Sequence, residues 1–212
     1  DSADKGGAVF TDSQPAEFRN NVFSHCTARN GGAIYSTTGA FSPDMNYTRI
    51  INCSFYDNSA TQQLGGGAIL SKSSKPLIFN SVFHGNTAPT GNDLRIITSD
   101  TAFIHYSILE EDNIEGNYVK GAGIFYEDPG FLNLDSLTID AGSPCLDAGV
   151  EEVSCYGCNY HCPDHCLGGN PRPIGEGVDL GAYEVDFVQG YHSESTIGNS
   201  IAHYNYPDPC FD

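Results

Sequence analysis

The stretch Asn52-Cys53-Ser54-Phe55-Tyr56-Asp57-Asn58-Ser59-Ala60 returns as Asn80-Ser81-Val82-Phe83-His84-Gly85-Asn86-Thr87-Ala88, and in altered form as Asn20-Asn21-Val22-Phe23-Ser24-His25-Cys26-Thr27-Ala28. A second motif alternates with it: Gly6-Gly7-Ala8-Val9-Phe10, then Gly31-Gly32-Ala33-Ile34-Tyr35, then Gly66-Gly67-Ala68-Ile69-Leu70. Repeats spaced by about 25 to 35 residues and carried by short β-rich pieces define a solenoid whose coils each bury a face on the next. The fold class that follows is all-β, a right-handed parallel β-helix of about six coils.

Each repeated residue then has a physical reason. Alternation along a strand is expected to turn Ile51, Cys53 and Phe55 inward and Asn52 and Ser54 outward. Phe23, Phe55 and Phe83 should stack in adjacent coils as the core. Asn58 and Asn86 fall at a corner where an inward amide can hydrogen-bond its copies and satisfy turn backbone that no ladder covers. The paired glycines admit backbone angles or close approaches that a β-carbon would block. Loops of variable length are expected at 36–48, 92–100 and 112–121. A fainter coil, Ile104-His105-Tyr106-Ser107-Ile108-Leu109, keeps the alternation but lacks the asparagine. The chain divides accordingly into coils over 1–127, a closing region with a Cys-rich insertion over 128–184, and a polar, aromatic tail over 185–212.

Composition agrees and narrows the function. Among 212 residues, 24 glycines, 12 tyrosines and 12 phenylalanines stand against one methionine and no tryptophan, which suits many turns and strands better than helices. Nine Lys plus Arg face twenty-seven Asp plus Glu, and the net charge of −18 would repel nucleic-acid phosphates and anionic membrane surfaces. Eight cysteines, four of them within a dozen residues, point to an oxidising, extracellular or cell-surface setting. No stretch approaches the roughly eighteen apolar residues of a membrane span, and no charged-then-apolar leader is visible. Because the chain starts at Asp1, a leader is expected to have been removed or the chain trimmed.

The glycine and F-x-x-N elements together resemble the repeats of the chlamydial polymorphic outer-membrane proteins, which are surface adhesins. Here the pairing stands at Phe55 to Asn58 and Phe83 to Asn86, while the first copy carries Cys26 in the asparagine place. The closing region, with Asp128-Pro129-Gly130-Phe131, Gly142-Ser143-Pro144-Cys145-Leu146-Asp147-Ala148-Gly149, Arg172-Pro173 and Val178-Asp179-Leu180-Gly181-Ala182-Tyr183-Glu184, is similar to the end of the β-helix domains of large secreted or surface-anchored bacterial proteins. The matches run from about residue 6 to 184. They imply a pectate-lyase-like solenoid with a Cys-rich C-terminal cap at the cell surface, and they imply no reaction.

Candidate chemistry centres on Cys155, Cys158, Cys162 and Cys166 with His161 and His165 interleaved. Four thiolates, or thiolates with imidazole, could hold zinc. With Cys145 and Cys210 the count reaches six, which in a secreted chain closes as three disulfides, and the disulfide reading is preferred, with no metal. Their pairing stays open among fifteen arrangements. Cys26 and Cys53 read as buried small apolar groups within the coils. Asn46-Tyr47-Thr48 and Asn52-Cys53-Ser54 make Asn46 and Asn52 candidate glycan acceptors.

Catalysis is not expected. Lyases and hydrolases on such solenoids combine clustered carboxylates with a basic residue, whereas Arg19, Arg29, Arg49, Arg95 and Arg172 are scattered and no aspartate pair recurs on one coil face. Asp140, Asp147 and Asp179 read as turn and cap residues. No cofactor is expected; the acidic turn Glu110-Glu111-Asp112 could hold calcium, although a solvated turn is the simpler reading. The leading expectation is a structural or adhesive module forming a homo-oligomer or head-to-tail filament through its solenoid ends and tail (Tyr191, Ile197, Ile201, Tyr204, Tyr206), with glycans or a cell-surface partner as further ligands. The rivals are a glycan-binding module with exposed aromatic rings as platforms and, behind it, a polysaccharide lyase or hydrolase.

Overall fold

The structure, a computed structural model, describes residues 3–12, 16–37, 48–98, 101–155 and 157–185. Three five-stranded sheets run parallel along a common axis, and each successive coil contributes one strand to each. The glycine sheet follows the paired glycines and contains Val9–Asp12, Ile34–Thr37, Ile69–Lys72, Leu94–Ile97 and Ile114–Glu115. The middle sheet contains Glu17–Arg19, Arg49–Ile51, Leu77–Phe79, Ala102–His105 and Tyr118–Lys120. The phenylalanine sheet contains Val22–Ser24, Ser54–Tyr56, Val82–His84, Ser107–Ile108 and Ile124–Phe125. A shorter sheet joins Ala3–Lys5, Thr27–Asn30 and Ser59–Ala60. Strands return to the same sheet by parallel crossovers, which sterics make right-handed. The solenoid is therefore a right-handed parallel β-helix, as expected, with five coils among the described residues against an expectation of about six.

Registry confirms the repeat alignment residue by residue, with Phe23 opposite Phe55 and Phe55 opposite Phe83. Their rings stack at 4.8 Å and 4.6 Å, tilted by only 12° and 4°, which matches the strand spacing of about 4.8 Å. Ile34, Ile69 and Leu94 from the glycine sheet and Ile50, Ile78 and Ile104 from the middle sheet complete the same buried cluster.

Corners, and not strands alone, set this cross-section. The turn from middle to phenylalanine sheet is made by Asn20, Asn52, Asn80 and Tyr106, all with φ between 40° and 53°. The next is made by His25, Asp57 and Gly85, and the glycine corner by Gly6, Gly31, Gly66 and Gly91, again left-handed. The two glycines of each pair serve different ends. Gly31 supplies φ of 64°, whereas a β-carbon on Gly32 would lie 1.9 Å from the carbonyl oxygen of Gly67 in the next coil.

The left-handed residue also corrects the alternation. It resets the side-chain phase, so Ile50, Cys53 and Phe55 point inward while Ile51 joins Leu77 and Phe79 in a separate cluster outside the middle sheet. Asn52 and Ser54, expected to face solvent, are buried beneath the closing region instead.

Behind each corner the polar groups form ladders. Asn58 Nδ2 donates to Asn86 Oδ1 at 2.9 Å and to the Phe23 carbonyl at 2.9 Å, while Asn58 Oδ1 accepts the Cys26 amide. Asn86 Nδ2 in turn donates to the Phe55 carbonyl and to Asp93 Oδ1. Asp93 thus ends the ladder as a buried carboxylate, and burial pushes its pKa up to about 6. A second ladder of hydroxyls runs from Thr11 through Ser36 and Thr48 to Ser74. Such columns keep backbone and side-chain donors satisfied where the sheets break.

Truncating the middle ring of the stack tests the core. Phe55→Ala should cost about 3–5 kcal/mol, read as a lowered urea midpoint with an unchanged slope; a loss within the range of a surface substitution would contradict the stacking.

Candidate functional site

The described residues after 128, 129–155 and 157–185, leave the solenoid. They fold back along its side as a strap, because two outer sheet faces are apolar. On the phenylalanine sheet, Val82 and Ile108 are covered by Ile139, Cys145, Leu180 and Val185. On the middle sheet, Ile51, Leu77 and Phe79 are covered by Val153 and Cys155 with Tyr160 and Cys162. At the first coil Val22 packs on Cys166, Ala182 and Tyr183. The corner asparagines fasten the strap. Asn52 Nδ2 donates to the Asp179 carbonyl at 3.2 Å, Asn80 Nδ2 to the Val150 carbonyl at 2.7 Å, and Asn80 Oδ1 accepts the Val150 amide. Arg19 and Asn20 donate to the carbonyls of His161 and His165.

Inside the strap the closing motif forms a buried ionic cluster. Arg172 Nη1 lies 2.7 Å from Glu184 Oε2, both side chains fully inaccessible, and Arg172 also donates to the carbonyls of Asp179 and Gly181. Glu184 accepts the amides of Ile174 and Asp179. Asp179 accepts those of Asp147 and Val185. Burial, reinforced by Glu184, pushes the Asp179 carboxyl up to about 7, against the pull of those amides and Arg172. Burial likewise raises Glu184, opposed by Arg172. Asp147 binds the amides of Glu176 and Gly177 and Asp140 that of Gly142, so these aspartates hold turns.

The six cysteines predicted to pair are distributed differently. Cys166 is disulfide-bonded, and Cys210 lies outside the described residues. No disulfide joins any two of Cys145, Cys155, Cys158 and Cys162, which corrects the three-bridge expectation within the described part. The reason is placement: Cys145 is buried under the phenylalanine sheet's cover with its thiol pushed by burial to about 12, whereas Cys155 and Cys162 belong to the middle sheet's cover. Cys155 and Cys158 face each other across an antiparallel hairpin of Glu152–Cys155 and Cys158–His161. Among the described residues no group of three His, Cys, Asp or Glu side chains is placed to hold a metal ion.

Asn52 is also corrected as a glycan acceptor. It has no accessible surface, and its amide is engaged with Asp179 and Asn80. Asn46, the other acceptor, lies outside the described residues, as do the tail residues singled out for assembly.

The candidate surface site is a half-buried column of rings on the phenylalanine sheet, with His25 exposed beside it. Tyr56 and His84 occupy equivalent places in adjacent coils and stack at 6.1 Å with an 8° tilt. His25 meets Tyr56 edge-on at 5.5 Å and places Nδ1 2.9 Å from Asp57 Oδ2. Phe131, at the start of the strap, sits edge-on against both Tyr56 and His84. The signal was present in the repeat: the residue after each stacked phenylalanine faces out, and it is Ser24, Tyr56 and His84. At the far coil, Glu110, Glu111, Asp112 and Tyr126 line a shallow acidic pocket, where the Tyr118 hydroxyl donates to Glu111 at 2.9 Å.

This stack of coils with a lateral strap is a parallel β-helix of the right-handed class. A family model described as "Right handed beta helix region" matches residues 1–161, and the chain belongs to that family. No curated protein and no solved structure matches it. Family membership carries the fold and leaves activity to the surface.

Two outcomes test the strap. Arg172→Met should strand a buried Glu184 and cost about 3–5 kcal/mol in urea unfolding. A folded-state pKa raised above the unfolded value favours folding of the protonated form. Stability from Asp93 and Asp179 is therefore whole below their unfolded values and lost as pH rises through about 6 and about 7. The urea midpoint should fall between about pH 5 and about pH 8, and Asp93→Asn, which keeps an acceptor toward Asn86, should remove the part of the fall centred near 6.

Proposed function

We propose that the chain is a non-catalytic, extracellular structural or adhesive module whose copies stack end to end. The observation that carries this reading is that all three sheets stop together at the last coil, where Ile114–Glu115, Tyr118–Lys120 and Ile124–Phe125 have a ladder partner on one side only among the described strands. An unpaired row of backbone donors and acceptors is a template for another chain. A contact between unlike ends propagates, because nothing in it closes.

The arginines support a non-catalytic role. Arg19 and Arg49 share Glu17, Arg29 faces Asp4 at 3.5 Å, Arg95 faces Glu115 at 2.9 Å, and Arg172 is bound within the strap. Each of the five arginines, one of the basic groups a lyase-like mechanism would recruit, has a carboxylate partner. The cysteine-rich, acidic composition and the likeness to surface adhesin repeats support the extracellular assignment.

Light scattering of the full chain across a wide concentration range is the test. Mass should grow with concentration and without a fixed stoichiometry; a constant monomer mass at every concentration would overturn assembly. A second reading, glycan binding, is favoured by the half-buried Tyr56 and His84 column beside exposed His25, whose hydroxyl and ring nitrogens can hydrogen-bond sugar hydroxyls. In affinity electrophoresis against neutral and acidic polysaccharides, Tyr56→Ala and His84→Ala should abolish retardation if the column binds; unretarded migration of the parent chain would remove this reading.

A further inference from the structure

The strap hairpin carries a pair of thiols in a defined register. Cys155 and Cys158 are directly opposed in the antiparallel ladder, and opposed residues of an antiparallel pair point to one side of it. Their α-carbons are therefore about 4.5–5.5 Å apart, inside the window of about 4.4–6.8 Å that a disulfide spans. Cys162 shares that face but lies four residues along the strand from Cys158, about 13 Å at about 3.4 Å per residue, and opposite Glu151. Cys145 is buried in the cover of the other sheet, while Cys53 and Cys26 pack inside the coils. Of the thiols that no disulfide joins, this pair alone is in bonding register among the described residues.

We propose that Cys155 and Cys158 form a reversible disulfide by exchange with a small-molecule disulfide, closing the tip of the strap. Accessibility sets the order of events. Cys158 is exposed and Cys155 is only 7% exposed, so the incoming disulfide meets Cys158 first. The Cys158 thiolate attacks one sulfur of the reagent and expels a thiolate, which takes up the proton Cys158 released. Cys155 then loses its proton and attacks the Cys158 sulfur of the mixed disulfide, expelling the second reagent thiolate, which is protonated in turn. One external disulfide is reduced to two thiols, and two cysteine thiols are oxidised to one bond.

The location gives the bond a mechanical role. Val153 lies in the cover of the middle sheet, its cross-strand partner Tyr160 receives Arg49 over its ring at 5.9 Å, and the hairpin holds both through its turn. Closure prevents the tip from fraying and so keeps that cover seated.

The full chain, held folded in buffers of reduced and oxidised glutathione, trapped by alkylation and cleaved after tyrosine, provides the test by mass spectrometry. Under oxidising buffer the expected product is a linked pair of peptides joined through Cys155 and Cys158, lighter by two hydrogens than the reduced peptides, with Cys162 alkylated. Cys162→Ser should keep the link. Cys158→Ser, at an exposed position, should leave Cys155 without glutathione while circular dichroism reports a folded chain. Alkylation of both Cys155 and Cys158 at every redox poise, a link from Cys158 to Cys162, or prompt glutathionylation of Cys155 in the folded Cys158→Ser chain would overturn the proposal.

Discussion

Each coil turns from the middle sheet into the phenylalanine sheet through a residue held at positive φ, and that choice propagates outward. Asparagine tolerates the left-handed region better than other residues with a side chain, and Asn20, Asn52 and Asn80 occupy it in three successive coils. Because the corner resets the alternation, Ile50 and Cys53 both point inward while Ile51 points out. An apolar outer face is thereby created on the middle sheet. It must be covered, and the same asparagines that make the corner supply the amides that bind the cover. Corner, outer apolar face and strap are thus one design, and removing any one leaves the others with buried groups unsatisfied.

The burial of the ionic cluster follows from that cover. Once Leu180 and Val185 are laid on the phenylalanine sheet, the chain between them turns through Gly181, whose φ is 97°, with no regular ladder to satisfy its backbone. Arg172 reaches the carbonyls of Asp179 and Gly181, and Glu184 takes the amides of Ile174 and Asp179. The pair is retained for those backbone groups as much as for its own attraction, since a buried ion pair by itself is weak support for stability.

The solenoid was legible in the sequence because a stack repeats its demands: a ring where rings stack, an amide where corners meet, a glycine where backbones touch. Phe23, Phe55, Phe83, Asn58 and Asn86 recur at the same phase and could be aligned by eye. Two things were not legible. Strict alternation misassigned Ile51 because a single positive-φ residue shifts the phase, and an asparagine in a short motif reads equally as an exposed strand residue or a left-handed corner. The path of residues after 128 was hidden because their partners lie far back in sequence, as with Asn52 and Asp179 or Arg19 and His161, and no local pattern encodes a contact of that kind. Asn52 lost its acceptor reading for the same reason: a sequon is a local pattern, and what buries it is not.

Cysteine usage brings the two levels together. Asn21, Cys53, Ser81 and Ser107 each follow a left-handed corner, and each donates from its side chain to the carbonyl two residues earlier. Cys53 and Ser81 also receive or relay bonds between coils, since the Cys53 amide donates to Ser81 Oγ and the Ser81 amide to Ser107 Oγ. A thiol in that column serves as a weak hydroxyl that is cheaper to bury, and burial drives its pKa to about 12, far from any reactive thiolate at neutral pH. Counting cysteines therefore overstates the number available for bridging. Those in the coils are packing residues, as is Cys145 under the strap, whose thiol burial also pushes up to about 12; the register of the hairpin sets Cys155 and Cys158 apart from them.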